Sequence, residues 1–221
     1  MQTIKYGVLT GLLVLMTSSL LPMAAHAASE ENQLVLNYDG FFDRLEDLNE
    51  SEYQDIKLAF YFMNQQGDAC PVKSVRLQTQ LNKMEVYYLP SGEILLPFDH
   101  QLDADKAAIV IEKADDQICG LNMRLESVIL LDKDVDVTKA KSLISTFDLA
   151  LNDLAGMMSF TLPDVVGISF KTAADETLTI NNMIAGECKL NSCTLSLADL
   201  DLYQDKVSFS HSIVKALPHI K

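Results

Sequence analysis

The sequence predicts an α+β fold, mainly antiparallel β-sheet, with one long amphipathic helix over about 138–158 and a short N-terminal helix. Three observations carry this prediction. Apolar and polar residues alternate in most segments between positions 56 and 125, the period-two pattern of strands with one buried face. Only one long stretch, 138–158, switches to helical spacing. Turn-forming residues such as Gln65-Gln66-Gly67-Asp68 and Pro90-Ser91-Gly92 separate the segments.

In chain order, the first segment reads as a leader. A single Lys5 precedes an apolar run over 7–15, a polar break follows at Thr17-Ser18-Ser19, and the stretch closes on Ala25-His26-Ala27-Ala28. Small residues stand at both positions that a signal peptidase reads. The apolar run is shorter than the ~20 residues a bilayer span needs. The expectation is a cleaved signal peptide, residues 1–27, and a mature periplasmic chain that begins near Ala28. No later run reaches spanning length, so no membrane span is expected.

Next, Phe41, Phe42, Leu45 and Leu48 fall at helical spacing within residues 38–48. Ile56, Leu58, Phe60 and Phe62 then alternate as a strand, and Val75, Leu77, Thr79 and Leu81 as another. Residues 84–89 and 93–98 flank Pro90-Ser91-Gly92 and read as a hairpin. Strands are expected over 107–111 and 121–125. In the long helix, Leu143, Ile144, Phe147, Leu151, Leu154, Ala155 and Met158 share one face. Asp136 or Thr138 can cap its start, and Pro163 forbids its continuation. Strands follow over 165–170, 178–181, both arms around Cys188 and Cys193, and 207–213. No linker-like composition marks a boundary, so residues 28–221 are expected to fold as one domain. Any subdivision would fall near Asp132.

The chain carries 31 acids against 17 lysines and arginines, a net charge of −14. Such a surface repels nucleic acid and anionic headgroups, and the class of partner it favours is a basic protein. The acids are scattered and 48% of residues are hydrophobic, which excludes a disordered chain.

Four cysteines, Cys70, Cys119, Cys188 and Cys193, all lie after the leader. In an oxidising compartment an even number predicts two disulfides, for which three connectivities exist in principle. Cys188 and Cys193 bracket the short polar turn Lys189-Leu190-Asn191-Ser192 and can face each other across a hairpin, which leaves Cys70 for Cys119. Zinc and thioredoxin chemistry use tighter cysteine spacing, so structural bridges are the favoured reading.

The run Gly92-Glu93-Ile94-Leu95-Leu96-Pro97-Phe98-Asp99 with Leu102 and Asp103 resembles a family of exported proteins from marine γ-proteobacteria. The flanking Cys70 and Cys119 share in that resemblance. So do Asp153-Leu154-Ala155-Gly156-Met157-Met158-Ser159-Phe160 and Pro163-Asp164-Val165. The family is known only as a domain of unknown function. The resemblance therefore implies a periplasmic protein with no assigned activity, cofactor or catalytic residue.

Hydrolase and phosphate-loop signatures are absent from the sequence. His100 lies among Asp99, Asp103 and Asp105, but no spaced second ligand completes a metal site, and a solvated loop accounts for the cluster. His211 belongs to an apolar strand face, and His219 is near the end of the chain. Asp132, Asp134 and Asp136 alternate like the start of a calcium loop. Val137 stands where such a loop turns on glycine, and Leu143 where a bidentate glutamate would close it, so a helix cap is the preferred role. Glu93, Asp99, Asp103 and Asp105 contain candidates for a glycosidase carboxylate pair. The chain has no tryptophan, however, so stacking support for a sugar is poor. No cofactor is expected. The leading function class is a non-catalytic binding or interaction module. The alternative is a hydrolase with a site assembled from scattered Asp, Glu and His.

Overall fold

The computed structural model describes residues 32–129, 131–156 and 162–221. The expected leader and Met158, the last residue of the expected helix stripe, lie outside these residues.

In chain order the elements begin with β1 (Gln33–Asn37), α1 (Asp39–Asp47), β2 (Ile56–Asn64), β3 (Val72–Gln78) and β4 (Lys83–Glu85). They continue with β5 (Glu93–Ile94), α2 (His100–Ala104), β6 (Ala108–Lys113), β7 (Cys119–Ser127), β8 (Asp134–Asp136) and α3 (Val137–Ala155). The last are β9 (Val165–Lys171), β10 (Glu187–Lys189), β11 (Ser192–Ser196), α4 (Leu197–Leu200), β12 (Lys206–Ser208) and β13 (Lys215–Ile220). The strands form sheets in the orders β1-β6-β3-β4, β5-β2-β7 and β10-β11-β9-β13, with β12 beside β8. Every strand pair is antiparallel. The α+β class with mainly antiparallel sheet and one long helix is the observed architecture.

Helix α3 forms because its apolar positions recur at helical spacing and its first turn is capped. The Asp136 carboxylate accepts the Lys139 N–H at 3.0 Å, satisfying one of the donors a helix start leaves free. The helix ends at Gly156, whose φ of +52° is strained for any residue with a side chain. Leu143, Ile144, Phe147 and Ala150 are buried in a core shared with Phe60 and Leu125 of the β2–β7 pair and Ile168 and Phe170 of β9. A second core lies under the first sheet, where Val75, Leu77, Ile109 and Ile111 meet Tyr38, Phe42, Phe62 and Ile94. A large apolar side chain fully buried in either core contributes about 1.5–3 kcal/mol.

Strand β2 departs from the one-sided pattern expected of it. Leu58, Ala59, Phe60, Tyr61 and Phe62 are all buried, because β2 is central between β5 and β7 and covered on both faces. The expected hairpin of 84–89 with 93–98 is present but short. Its turn exists: Gly92 adopts φ +89°, and the Gly92 N–H donates to the Leu89 carbonyl at 2.9 Å. The arms pair beside the turn, where Tyr88 bridges Ile94, the Leu89 N–H donates to the Glu93 carbonyl at 2.9 Å and the Leu95 N–H to the Tyr87 carbonyl at 3.0 Å; farther out β4 pairs with β3, and β5 also pairs with β2. Glu93 and Ile94 gain burial against Tyr61 and Phe60, whereas β4 stays an exposed edge. Residues 178–181 make only an isolated bridge, Ile180 with Phe209, and the strand expected over 207–213 shortens to β12 with bridges beyond it.

Two pairs of cysteines stand at disulfide distance. Cys70 and Cys119 have Cα atoms 6.3 Å apart, and Cys188 and Cys193, directly opposite in the β10–β11 register, 4.0 Å. Among the described residues no helix is long and apolar enough to cross a membrane.

Strands β7 and β13 are the facing edges of two different sheets. They touch where β7 ends and β13 begins: the Ala216 N–H donates to Ser127 Oγ at 2.8 Å. That N–H points away from β9, the ladder partner of β13. Pro218 follows two residues later, with the same outward parity, so its missing N–H costs no bond to β9.

Candidate functional site

Beyond the Ala216–Ser127 contact the two edge strands border a groove of about 670 Å3, within the size range of small-molecule sites. Met123, Arg124 and Leu125 of β7 form one wall, and Leu217, Pro218 and Ile220 of β13 the other. The last turns of α3 supply Leu151, Leu154 and Ala155. These residues extend the helix's apolar stripe beyond the part buried in the core, and Leu151 and Leu154 are only half-buried. Met123 and Ile220 are each 47% exposed, a large solvent-facing apolar area for two neighbouring walls.

Three cations also line the groove: Arg44 from α1, Arg124 from β7 and Lys171 from the end of β9. No carboxylate and no histidine stands among its described lining residues. Arg124 is held by Tyr61, whose ring centroid lies 4.9 Å from the guanidinium carbon, and by Met63, whose sulfur is 3.1 Å from Nη2. Burial pushes the Lys171 ammonium below its ordinary pKa, and the nearby Arg124 and Lys215 push it further, against the opposing influence of Glu126.

Behind the groove runs a buried polar network. Glu126 is 2% exposed, and both its oxygens accept from Lys215 Nζ at 3.1 Å. Tyr61 donates its hydroxyl to the same carboxylate at 2.8 Å, and the Lys215 ammonium lies 2.9 Å from that hydroxyl. Glu93, also buried, is paired with Lys57. Burial, and then the hydrogen bond to Glu126, raise the Tyr61 phenol well above its ordinary pKa. The network joins β2, β5 and β7 to the start of β13, and it meets the groove lining through Arg124, which lies over the Tyr61 ring.

The residues singled out in the sequence are not brought together. Asp99 caps α2, accepting the Gln101 and Leu102 N–H groups at 2.8 and 3.3 Å. Asp103 lies 3.5 Å from Lys106, Asp105 accepts from Gln101 Nε2 at 2.9 Å, and His100 sits edge-on to Phe42 and Phe98. His211 Nδ1 is 3.0 Å from Ser210 Oγ, a hydroxyl that also accepts the Thr179 N–H. Of the calcium candidates, Asp132 accepts its neighbour's N–H at Lys133, Asp134 is bound by Lys206 and Ser208, and Asp136 caps α3. Among the described residues no three His, Cys, Asp or Glu side chains are grouped to hold a metal ion. The groove cations were not singled out by the sequence. Arg124 read as the polar side of an alternating strand, and β13 was not expected at all.

Comparison with known proteins gives a family and no function. Residues 30–172, well over half of the chain, match the model of a protein family of unknown function, DUF2987, and the chain belongs to that family. No curated protein and no solved structure matches it. The three groove cations and the β7 wall fall within the matched residues, whereas the β13 wall lies beyond them.

Proposed function

We propose that this chain is an exported, periplasmic, non-catalytic binding module whose ligand seats in the groove between β7 and β13. The groove carries the reading: it is concave and largely apolar, and its described lining holds no acid, base or nucleophile pair arranged for chemistry. The scattered acids and histidines that a hydrolase would require instead cap helices, pair with lysines or pack on aromatic rings. Export is supported by the leader-like pattern of residues 1–27, by a family match that begins only at residue 30, and by two cysteine pairs at bridging distance.

The binding test uses an uncharged apolar fluorophore, N-phenyl-1-naphthylamine, titrated with the mature protein. Saturable enhancement is expected, with affinity weakened about tenfold or more in Leu151→Glu and in Leu217→Glu, each of which buries a charge in the groove. Unchanged dye binding in both folded variants overturns the assignment of the groove. Intact mass of the periplasmic fraction should give a start near Ala28, and a full-length cytoplasmic species as the main form overturns export.

A further inference from the structure

Arg44, Arg124 and Lys171 reach one apolar groove from three different elements, and none belongs to an ion pair among the described residues. Seven lysines elsewhere are paired with carboxylates. No carboxylate lines the groove with them, and the acid that acts on Lys171, Glu126, is already paired with Lys215. Lys171 bears a cost for this arrangement, being half-buried beside two other cations. An anion entering the groove removes that cost and forms charge-assisted hydrogen bonds in a partly desolvated place, where such bonds are strongest. The remaining walls offer only hydrocarbon contact, from Leu58, Met123, Leu151, Leu154, Leu217 and Ile220.

We infer that the groove binds a monomeric single-chain anionic amphiphile, a free long-chain carboxylate, with its head at Arg124 and Lys171 and its hydrocarbon tail along the α3 and β13 walls. This rests on the groove being the binding site. Each methylene taken from water onto those walls tightens binding by about fourfold. The net charge of −14 selects the monomer over a membrane: an anionic bilayer repels the whole surface, whereas a single head inside the groove faces a lining that holds three cations and no carboxylate.

The test displaces the bound fluorophore from the mature chain with dodecanoate, dodecan-1-ol and dodecyltrimethylammonium, each below its micellar concentration. Dodecanoate should bind about tenfold or more tighter than the alcohol, and the ammonium most weakly. Lys171→Met should reduce the carboxylate-to-alcohol affinity ratio about tenfold. Arg44→Gln, on an exposed helical position that does not endanger folding, should reduce it about threefold. Equal affinity for all three amphiphiles overturns the anion preference and leaves the groove as a binding site. Failure of all three to displace a dye that does bind overturns the amphiphile. Absence of any dye binding overturns the groove itself. Co-sedimentation with dioleoylphosphatidylglycerol vesicles, without displacement by dodecanoate, overturns the monomer in favour of a membrane surface.

Discussion

Lys215→Met removes the cation that neutralises the buried Glu126. The Glu126 side chain is 3% exposed and that of Lys215 29%, so the carboxylate depends on the pair far more than the ammonium does. After the substitution, the Tyr61 hydroxyl at 2.8 Å remains as its described donor. An uncompensated buried charge costs about 3–5 kcal/mol. The surviving Tyr61 bond and the partial exposure of Lys215 place this case at the lower end, about 3 kcal/mol. With urea m-values of about 1–3 kcal/mol/M, the unfolding midpoint should fall by about 1 M or more. Lys215→Met combined with Glu126→Gln removes the charge while keeping an acceptor for Tyr61, and should return to within about 1 kcal/mol of the parent. Urea melts of the parent, both single variants and the double decide it. A loss below about 1 kcal/mol in Lys215→Met, or a double variant less stable than either single, refutes the reasoning.

Because the Lys171 pKa is lowered on folding, the unfolded chain binds the extra proton between the folded pKa and the ordinary value of 10.5. The destabilisation is therefore complete at pH 7 and relieved as pH rises towards 10.5, so Lys171→Met should be the more stable protein at pH 7, with an advantage that shrinks by pH 10 in paired urea melts. Replacing both Cys70 and Cys119 by Ser, which opens a loop of sequence separation 49, should cost about 4 kcal/mol, against about 2 kcal/mol for Cys188 and Cys193 at separation 5. Non-reducing peptide mapping should return those two linkages, and crossed pairs would defeat the assignment. Asp136→Ala removes the bond to the Lys139 N–H and should cost about 1 kcal/mol, and added calcium should leave the thermal midpoint of the parent unchanged if the aspartate is a cap alone.

Where one physical cause dominates, the sequence was legible. The α3 stripe, the short helix α1 and the alternating strand β3 each follow from a single buried face, whereas β7 buries Glu126 and leaves Met123 exposed. Strand β2 was read as one-sided because alternation reports the chain's own pattern and not what covers its second face. Strand β13 was not expected; its Pro218 is tolerated because it stands at a sheet edge whose outward N–H is not needed. The groove was the least legible feature. Its cations come from residues 44, 124 and 171, and only tertiary packing brings them to one place. The carboxylates drew attention through their number, yet those singled out are taken up by helix caps, lysines and neighbouring amide groups.

Pro218 has one further consequence. Strands β7 and β13 terminate a three-stranded and a four-stranded sheet, and their edges already meet through Ala216 and Ser127. Two open edges in that position tend to zip into one continuous sheet of seven strands, and closing the seam would eliminate the space between them. The proline withholds the next backbone donor on the outward side of β13, so among the described residues the β13 backbone makes one hydrogen bond across the seam, to a side-chain hydroxyl instead of a carbonyl. The space between the walls is thus written into the backbone as a missing hydrogen.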